Sequence, residues 1–276
     1  MSFEVVRKGE LEYLCSTLLD CDGVRHCFST RYGGVSQGCL ASLNLGIHRG
    51  DRPENVRRNY EILGQAVGFR PEELVFTKQV HSDIVVCVGE SHRGDGLERE
   101  VTQERDGLIT NVPHVAVIAF SADCTPVLLL DPRRRVVAAV HAGWRGTAAG
   151  IVRRAVEKMQ TQYGCDPAQI RAAIGPCISA CCFETHRDVP DAMLASLGPE
   201  AETAIVPSTS DPGKYHVDLK RLNQVWLQRA GVRQIDISPD CTACQSERFW
   251  SHRVVGNDRG SLAAIIMLTE PGRDAL

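Results

Sequence analysis

Three apolar runs separated by short polar inserts constrain the fold of this chain more than any other feature. The runs cover residues 115–120, 127–130 and 136–140. Each run is too short for an ordinary helix, so the spacing predicts buried β-strands joined by turns. The first insert holds Cys124 at the rim of the predicted sheet, and the third run ends in His141.

Further elements are predicted on either side of this apolar centre. Helices, recognised by apolar spacing or by start and stop residues, are predicted at 53–67, at about 147–163, at 189–197 and at 219–230. Strands are predicted at 24–29, 108–110, 170–174, 235–237 and 262–268. The sequence shows no repeat and no linker. It therefore predicts a single domain over residues 1–276, of α+β or layered α/β class.

Composition excludes several classes of protein. Apolar residues make up 43% and charged residues 24%, which is typical of a folded globular chain rather than a disordered or coiled-coil one. The net charge of -3 provides no basic field for nucleic acid or an anionic membrane. No apolar run approaches the roughly 20 residues that span a bilayer, and charges interrupt residues 1–19, so a cytoplasmic protein is expected. Most of the twelve cysteines are expected to be reduced.

A glycine-rich loop at 30–38 is a candidate anion site. Gly33 and Gly34 favour a tight turn whose backbone N–H groups can face a ligand, and Arg31 lies at its mouth. A surface turn with a solvated arginine is the alternative interpretation. For Arg58 on the predicted helix 53–67, the alternative interpretation is a solvated helix face.

His81, Cys124 and His141 form a candidate metal-binding set. Each follows or interrupts a predicted strand, His81 at the end of a β-like run over 75–81. A catalytic zinc site typically uses three such ligands and leaves a fourth position open. A histidine after an apolar run can equally be an ordinary hydrogen-bonded residue. Asp123 could orient a ligand histidine, accept a proton or form an Asx turn.

Two other cysteine motifs are incomplete by themselves. The CxxC motif at 241–244 has no second CxxC or His-x-His partner, so it does not form a recognisable zinc ribbon. The vicinal pair Cys181-Cys182 has no obvious partner either. The chain also lacks the glycine-rich dinucleotide, P-loop and GxSxG motifs.

Several motifs together resemble one known family, over nearly the whole chain. They are TKQVH at 77–81, DGLIT at 106–110, ADCTPV at 122–127, VHAGWRG at 140–146, RYGGVS at 31–36, SLNL at 42–45, IGPCI at 174–178 and FWSHR at 249–253. These blocks are similar to the signature blocks of the purine nucleoside phosphorylases long labelled multicopper polyphenol oxidases or laccase-domain proteins.

The resemblance implies a fold, a metal site and an activity. The implied fold is a layered α/β/β/α domain, similar to a toxin deamidase fold built on a Cys-His pair. The implied cofactor is zinc, or copper, bound by His81, Cys124 and His141. The implied reactions are phosphorolysis of adenosine, inosine and S-methyl-5'-thioadenosine, with adenosine deamination as a second activity. Purine nucleosides and phosphate are therefore the expected partners, and Cys124, Asp123 and His141 the expected catalytic residues.

Phosphorolysis also requires groups that position a phosphate dianion, such as arginines and backbone N–H groups. The candidate substrate and phosphate contacts are Arg31, Asn44, Arg58 and Arg145. Arg145 precedes the predicted helix at 147, whose N-terminus also favours an anion.

The chain departs from the family pattern at two positions. Tyr60 follows Asn59 where the family usually has an arginine, and Asp258 precedes Arg259 where the family has a glycine. The nearby Arg58 is the candidate to replace the missing arginine.

Other functional classes remain open from the sequence. Cys124 with His141 as its base would make a thiol hydrolase or deamidase. A metal-stabilised interaction module would need a fourth protein ligand to close the site. A true multicopper oxidase is disfavoured, because such an enzyme needs several His-x-His pairs and the nine histidines form none.

Overall fold

The computed structural model describes residues 3–270 and 272. Its strands are β1 Phe3–Lys8, β2 Leu11–Ser16, β3 Val24–Ser29, β4 Leu74–Phe76, β5 Val85–Cys87, β6 Gly107–Thr110, β7 Ala116–Ser121, β8 Thr125–Asp131, β9 Val136–Ala142, β10 Arg171–Ile174, β11 Glu184–Thr185, β12 Ile205–Pro207, β13 Tyr215–Val217, β14 Gln234–Ile237 and β15 Leu262–Leu268. Its helices are α1 Pro53–Val67, α2 Trp144–Ala148, α3 Ile151–Tyr163, α4 Asp188–Leu197, α5 Leu219–Arg229 and α6 His252–Val255.

The strands form two six-stranded sheets and one small sheet. The first has the order β1-β2-β3-β15-β7-β4, the second β14-β10-β8-β9-β6-β5, and the small sheet β11-β13-β12. Consecutive strands β7 and β8 therefore lie in different large sheets. The short turn between them carries Cys124 across from one sheet to the other.

Strand β15 shows why the apolar runs are continuous rather than alternating. Leu262, Ala264 and Ile266 pack in the core shared by the two large sheets. Ile265 and Met267 belong to the separate core that the first sheet forms with α1. Because both faces of the strand are buried, every position is apolar.

Strand β9 repeats this division in the second sheet. Val137 and Ala139 face the core between the sheets, whereas Ala138 and Val140 pack in the core that contains α3, α4 and α5. The layers therefore follow the order helix, sheet, sheet, helices. The predicted α+β class is confirmed, while the similarity to the toxin deamidase fold stays a prediction.

The predicted helix over about 147–163 is wrong in one respect, because the chain forms two helices there. Helix α2 ends at Ala148 and α3 begins at Ile151, and Gly150 between them has a φ of 74°. The Trp226 ring lies 3.4 Å from where a Cβ on Gly150 would be. That distance is an ordinary contact, so the left-handed backbone is what favours glycine here.

The other predicted elements agree with the structure within a few residues. Helix α5 is capped by Asp218, whose side chain accepts from the Arg221 N–H at 3.0 Å. All twelve cysteines are free thiols. In the described part of the chain, no helix has the length and apolar character needed to cross a membrane.

Candidate metal centre and its cavity

His81, Cys124 and His141 meet in space, and we refer to them as the three-ligand site. Their nearest ligand atoms all lie within 4.8 Å of one another, and the two imidazole centroids are 4.9 Å apart. His141 lies in β9 opposite Pro126 of β8, two residues after Cys124. The β-like run expected to end at His81 stops at Phe76 instead. His81 therefore sits in a loop, with a φ of 61°.

Asp106 connects the ligands, although sequence reasoning gave it no role. Its Oδ1 accepts a 2.8 Å hydrogen bond from Nδ1 of His141. The same carboxylate accepts the backbone N–H groups of Val80, His81 and Ser82 at 3.0–3.1 Å. Because Nδ1 of His141 is engaged, Nε2 is the nitrogen free to bind a metal.

These contacts control the ionisation of Asp106. Burial raises its pKa, but the hydrogen bonds from His141 and Ser82 outweigh burial and lower the pKa to about 2. The carboxylate is therefore charged throughout the neutral range. A permanent negative charge on the outer side of the imidazole increases its basicity as a ligand.

The thiol and the imidazole of the site influence each other strongly. Burial raises the pKa of Cys124, but the charge and hydrogen bond of His141, with a further contribution from His81, lower it to about 6. Burial lowers the pKa of His141, whereas Cys124 and Asp106 raise it to about 9. Without a metal, the pair is therefore a thiolate and an imidazolium near neutral pH. A thiolate is the form that binds a metal.

Gly143 makes room for the three ligands. A Cβ at this position would lie 2.6 Å from Nδ1 of His81 and 3.2 Å from Sγ of Cys124. Any larger residue would displace one of these side chains. The glycine of the VHAGWRG motif is thus required by close approach, at a position where α2 begins directly afterwards.

The donor set fits a metal ion with an open position. One thiolate and two imidazoles suit zinc or copper. Within residues 3–270 and 272, no fourth His, Cys, Asp or Glu belongs to this group. The closed four-ligand site of a non-catalytic module therefore finds no support in the described chain.

The three-ligand site opens into a cavity of about 580 Å³. Four arginines line it: Arg49, Arg145, Arg253 and Arg259. Its aromatic lining is Phe120, Trp144 and Phe183. Asp123 is the one acidic residue among the described lining residues, so the cavity suits an anionic ligand with an apolar part.

Arg49 and Arg259 carry much of this positive field. Burial lowers the pKa of Arg259 to about 10, and the neighbouring charge of Arg49 adds to that effect. Burial also lowers the pKa of Arg49. In the described part of the chain neither guanidinium forms an ion pair, and Nε of Arg259 is buried without a hydrogen-bond partner. The charges of Asp123 and Cys124 act in the opposite direction on Arg259 but form no ion pair with it, so the two guanidinium groups remain available to an anion.

The structure places only some of the candidate phosphate contacts in the cavity. Arg145 lines the cavity, with its guanidinium 4.2 Å from the Trp144 ring centroid. Arg58 forms a surface ion pair with Glu61 at 2.9 Å and lies outside the lining.

Arg31 and Asn44 also lie outside the cavity lining. The Arg31 guanidinium donates to the carbonyls of Ala41 and Ser246, and it stacks on a tryptophan ring. The buried Asn44 side chain accepts the N–H groups of Gly46 and Ser261 at 2.9 and 3.0 Å. Both side chains therefore hold loops in place.

The glycine-rich loop is likewise bonded within the protein. The N–H of Gly34 donates to Ser42 Oγ, and the N–H of Val35 donates to Oδ1 of Asn59. A Cβ on Gly33 would lie 2.2 Å from the backbone of Leu11. The expectation that these N–H groups face a ligand is wrong for Gly34 and Val35, because internal acceptors already use them.

Asp123 does not orient a ligand histidine, which is the role of Asp106. Its carboxylate accepts from Thr242 Oγ1 at 2.6 Å, from Ser251 Oγ at 3.1 Å and from the Arg253 N–H at 2.6 Å. The backbone of Asp123 has a φ of 90°. The residue next to Cys124 is therefore fixed to the segment 242–253, which supplies part of the cavity wall.

The fold and the site together define a class of protein: an α+β protein with a three-ligand candidate metal site in an arginine-lined cavity. The profile of the family described as multi-copper polyphenol oxidoreductase laccase matches residues 25–269. The chain belongs to this family, which confirms the resemblance seen in its motifs.

Named relatives and a solved structure agree with that membership. The purine nucleoside phosphorylase YlmD of Geobacillus stearothermophilus is 37% identical over 242 residues, which cover 86% of each chain. A purine nucleoside phosphorylase of Bacteroides thetaiotaomicron is 33% identical over 256 residues, 91% of this chain and 94% of that protein. The crystal structure of the Geobacillus YlmD has a TM-score of 0.89 at 34% identity, covering 96% of this chain and 99% of the other.

Proposed function

We propose that this protein is a zinc-dependent purine nucleoside phosphorylase, folded as one domain over residues 1–276. The proposed substrates are adenosine, inosine and S-methyl-5'-thioadenosine, with adenosine deamination as a second reaction. The observation that carries the proposal is the meeting of His81, Cys124 and His141 in a cavity lined by four arginines. Relatives named purine nucleoside phosphorylases support an enzyme of that kind.

The chain provides a separate group for each part of the substrate pair. Arg49, Arg145 and Arg259 bind the phosphate dianion, since they line the cavity and have no carboxylate partner among the described residues. Phe120 and Trp144 offer aromatic surface to the purine. A zinc ion held by the three-ligand site would supply a Lewis acid in the same cavity.

The proposed reaction balances without any redox partner. A phosphate oxygen forms a bond to the anomeric carbon as the bond from that carbon to the purine nitrogen breaks. The purine leaves with the electron pair and takes the proton that hydrogen phosphate brings. Holding the two reactants together is itself a large part of such catalysis. The arginines meet this need by fixing phosphate beside the nucleoside.

Product analysis tests this proposal. Purified protein is incubated with inosine, with and without phosphate, and hypoxanthine and ribose 1-phosphate are measured. Hypoxanthine is expected only with phosphate and in equal amount to ribose 1-phosphate. Base release that does not require phosphate would indicate a hydrolase instead. If inosine, adenosine and S-methyl-5'-thioadenosine all remain intact, the proposal is wrong.

The second candidate is a thiol hydrolase or deamidase. The hydrogen-bonded series Cys124, His141 and Asp106 resembles a nucleophile, its base and the group that orients the base. The lowered pKa of Cys124 fits that role as well. Such an enzyme would work after chelator treatment and would lose activity on alkylation of Cys124. The zinc enzyme is expected to show the opposite response to the chelator.

A further inference from the structure

Cys181, Cys182, Cys241 and Cys244 come together outside the proposed active site, and we call them the four-cysteine cluster. Their sulfur atoms all lie within 4.8 Å of one another. Cys182 Sγ is 3.3 Å and Cys181 Sγ 3.5 Å from Cys244 Sγ. The vicinal pair Cys181-Cys182 and the CxxC motif at 241–244 are therefore each other's missing partner.

The sheet topology explains how these distant cysteines meet. Strands β10 and β14 are parallel neighbours, with Ile174 opposite Ile237 at their ends. The chain leaves both strands at the same edge of the sheet, so the two following loops lie side by side. The N–H of Thr242 donates to the Cys177 carbonyl at 3.1 Å. The N–H of Ser179 donates to Sγ of Cys241 at 3.3 Å.

We propose that the four-cysteine cluster binds a structural zinc ion. Four thiolates around zinc at about 2.3 Å place the sulfurs roughly 3.8 Å apart, close to the spacing seen here. A four-sulfur set leaves no position for water or substrate, which is typical of structural sites. This site goes beyond the proposed phosphorylase activity and uses none of its residues as ligands.

A buried lysine joins the two loops that carry the cluster. The buried Lys220 donates to Ser179 Oγ at 3.0 Å and to the carbonyls of Ser238 and Asp240 at 2.8 and 2.7 Å, which ties the two loops together. Within residues 3–270 and 272, Lys220 forms no ion pair. Lys220 therefore holds together the two loops that carry the cluster, through three hydrogen bonds to oxygen atoms.

Arg253 links the cluster to the cavity. Its guanidinium donates to the carbonyls of Cys182 and Glu184 at 2.8 and 3.1 Å, while its backbone N–H holds the carboxylate of Asp123. A zinc ion that fixes Cys182 and Cys244 would thus order the loop that positions Asp123 beside the three-ligand site. The zinc ion would stabilise one wall of the cavity without touching the substrate.

The test uses the Cys124→Ala protein, in which the three-ligand site is lost and all four cysteines of the cluster remain. Elemental analysis is expected to find about one zinc ion per chain, and X-ray absorption an all-sulfur shell. Adding Cys244→Ser should remove this zinc, whereas adding Cys39→Ser, at an exposed cysteine elsewhere, should retain it. In the unaltered protein about two zinc ions per chain are expected.

Three results would overturn the zinc proposal: no zinc in the Cys124→Ala protein, a coordination shell containing nitrogen or oxygen, or a disulfide within the cluster after anaerobic purification. If Cys124→Ala fails to fold, the zinc content of the unaltered protein and of its Cys244→Ser variant decides: about two zinc ions and about one per chain are expected, and equal contents would overturn the proposal. Because the Cys124→Ala protein has no working active site, its metal content is independent of the proposed phosphorylase function.

Discussion

The three-ligand site and the four-cysteine cluster use cysteine in different ways. Cys124 shares its site with two histidines, and the site opens into a cavity lined by arginines. The cluster combines four sulfurs on two adjacent loops, outside that cavity. Three ligands leave a position open for chemistry, whereas four fill a tetrahedral site, which is typical of structural zinc. The number and type of ligands are therefore the basis for proposing catalysis at the first group and a structural role for the second.

The largest effect is expected from loss of a ligand in the three-ligand site. Cys124→Ala removes the thiolate, and with it a contribution of several kcal/mol to catalysis. Phosphorolysis should therefore fall by about 10³-fold or more. The matched variant Cys39→Ser, at an exposed cysteine away from both sites, should keep full activity. Initial rates of hypoxanthine release provide the measurement, and a comparable loss in both variants would contradict the assignment.

A smaller effect is expected from Asp106→Asn. The amide cannot accept from every donor that now surrounds the carboxylate, so His141 loses its orienting charge. Zinc affinity or activity should fall by about 10–100-fold. The control is Asp131→Asn, another buried carboxylate, which accepts from the backbone N–H groups of Arg133 and Arg134 and hydrogen-bonds Cys165, away from the three-ligand site. Zinc titration of both variants should separate them, and equal affinities would remove Asp106 from the site.

The arginines provide a third comparison, between the cavity and the surface. Arg259→Gln removes a charge-assisted contact, so the KM for phosphate should rise by about tenfold with a smaller change in the KM for inosine. Arg58→Gln affects a guanidinium whose partner is Glu61 on the surface, and both constants should stay unchanged. Steady-state kinetics at varied phosphate would contradict the proposal if Arg58→Gln had the larger effect.

The smallest effect concerns pH. In chelator-treated protein, the lowered pKa of Cys124 keeps the thiolate above pH of about 6, and its contribution to stability is lost as the pH falls through that value. The imidazolium of His141, with its pKa raised to about 9, is lost as the pH rises through 9. The rate at which iodoacetamide alkylates Cys124 should therefore rise as the pH passes through about 6. At pH 7 this rate should be several-fold higher than that of a small free thiol with its pKa of about 8.5. A pH dependence of the alkylation rate with its midpoint near 8.5 would contradict this expectation. Bound zinc should protect Cys124 from alkylation.

The sequence predicted most of the central strands and long helices, because each buried strand and amphipathic helix leaves a local pattern, whereas the layer order came from the family resemblance. Val24–Ser29 and Leu262–Leu268 have the predicted bounds. The helix break at Gly150 was missed because the apolar pattern continues through it. A single glycine within such a pattern does not show whether its φ is positive.

The site was predictable in part. His81, Cys124 and His141 were identified from motifs and from their chemistry. The role of Asp106 was missed, since the sequence cannot show which carboxylate faces a histidine. The DGLIT motif did contain that residue. Arg49 and Arg259 were missed because only the folded cavity shows which guanidinium groups lack a partner. The four cysteines lie on two segments far apart in sequence, and local spacing does not predict the parallel pairing of β10 and β14 that brings these segments together.

Reconstitution with zinc tests the central claim most directly. Protein is treated with a mild chelator until the three-ligand site is empty, zinc is then added in steps, and hypoxanthine release from inosine and phosphate is followed. The rate should rise in proportion to zinc bound by His81, Cys124 and His141, and it should reach a plateau when that site is full. Full turnover in the chelated protein, abolished by alkylation of Cys124, would contradict the claim and identify the thiol as the nucleophile.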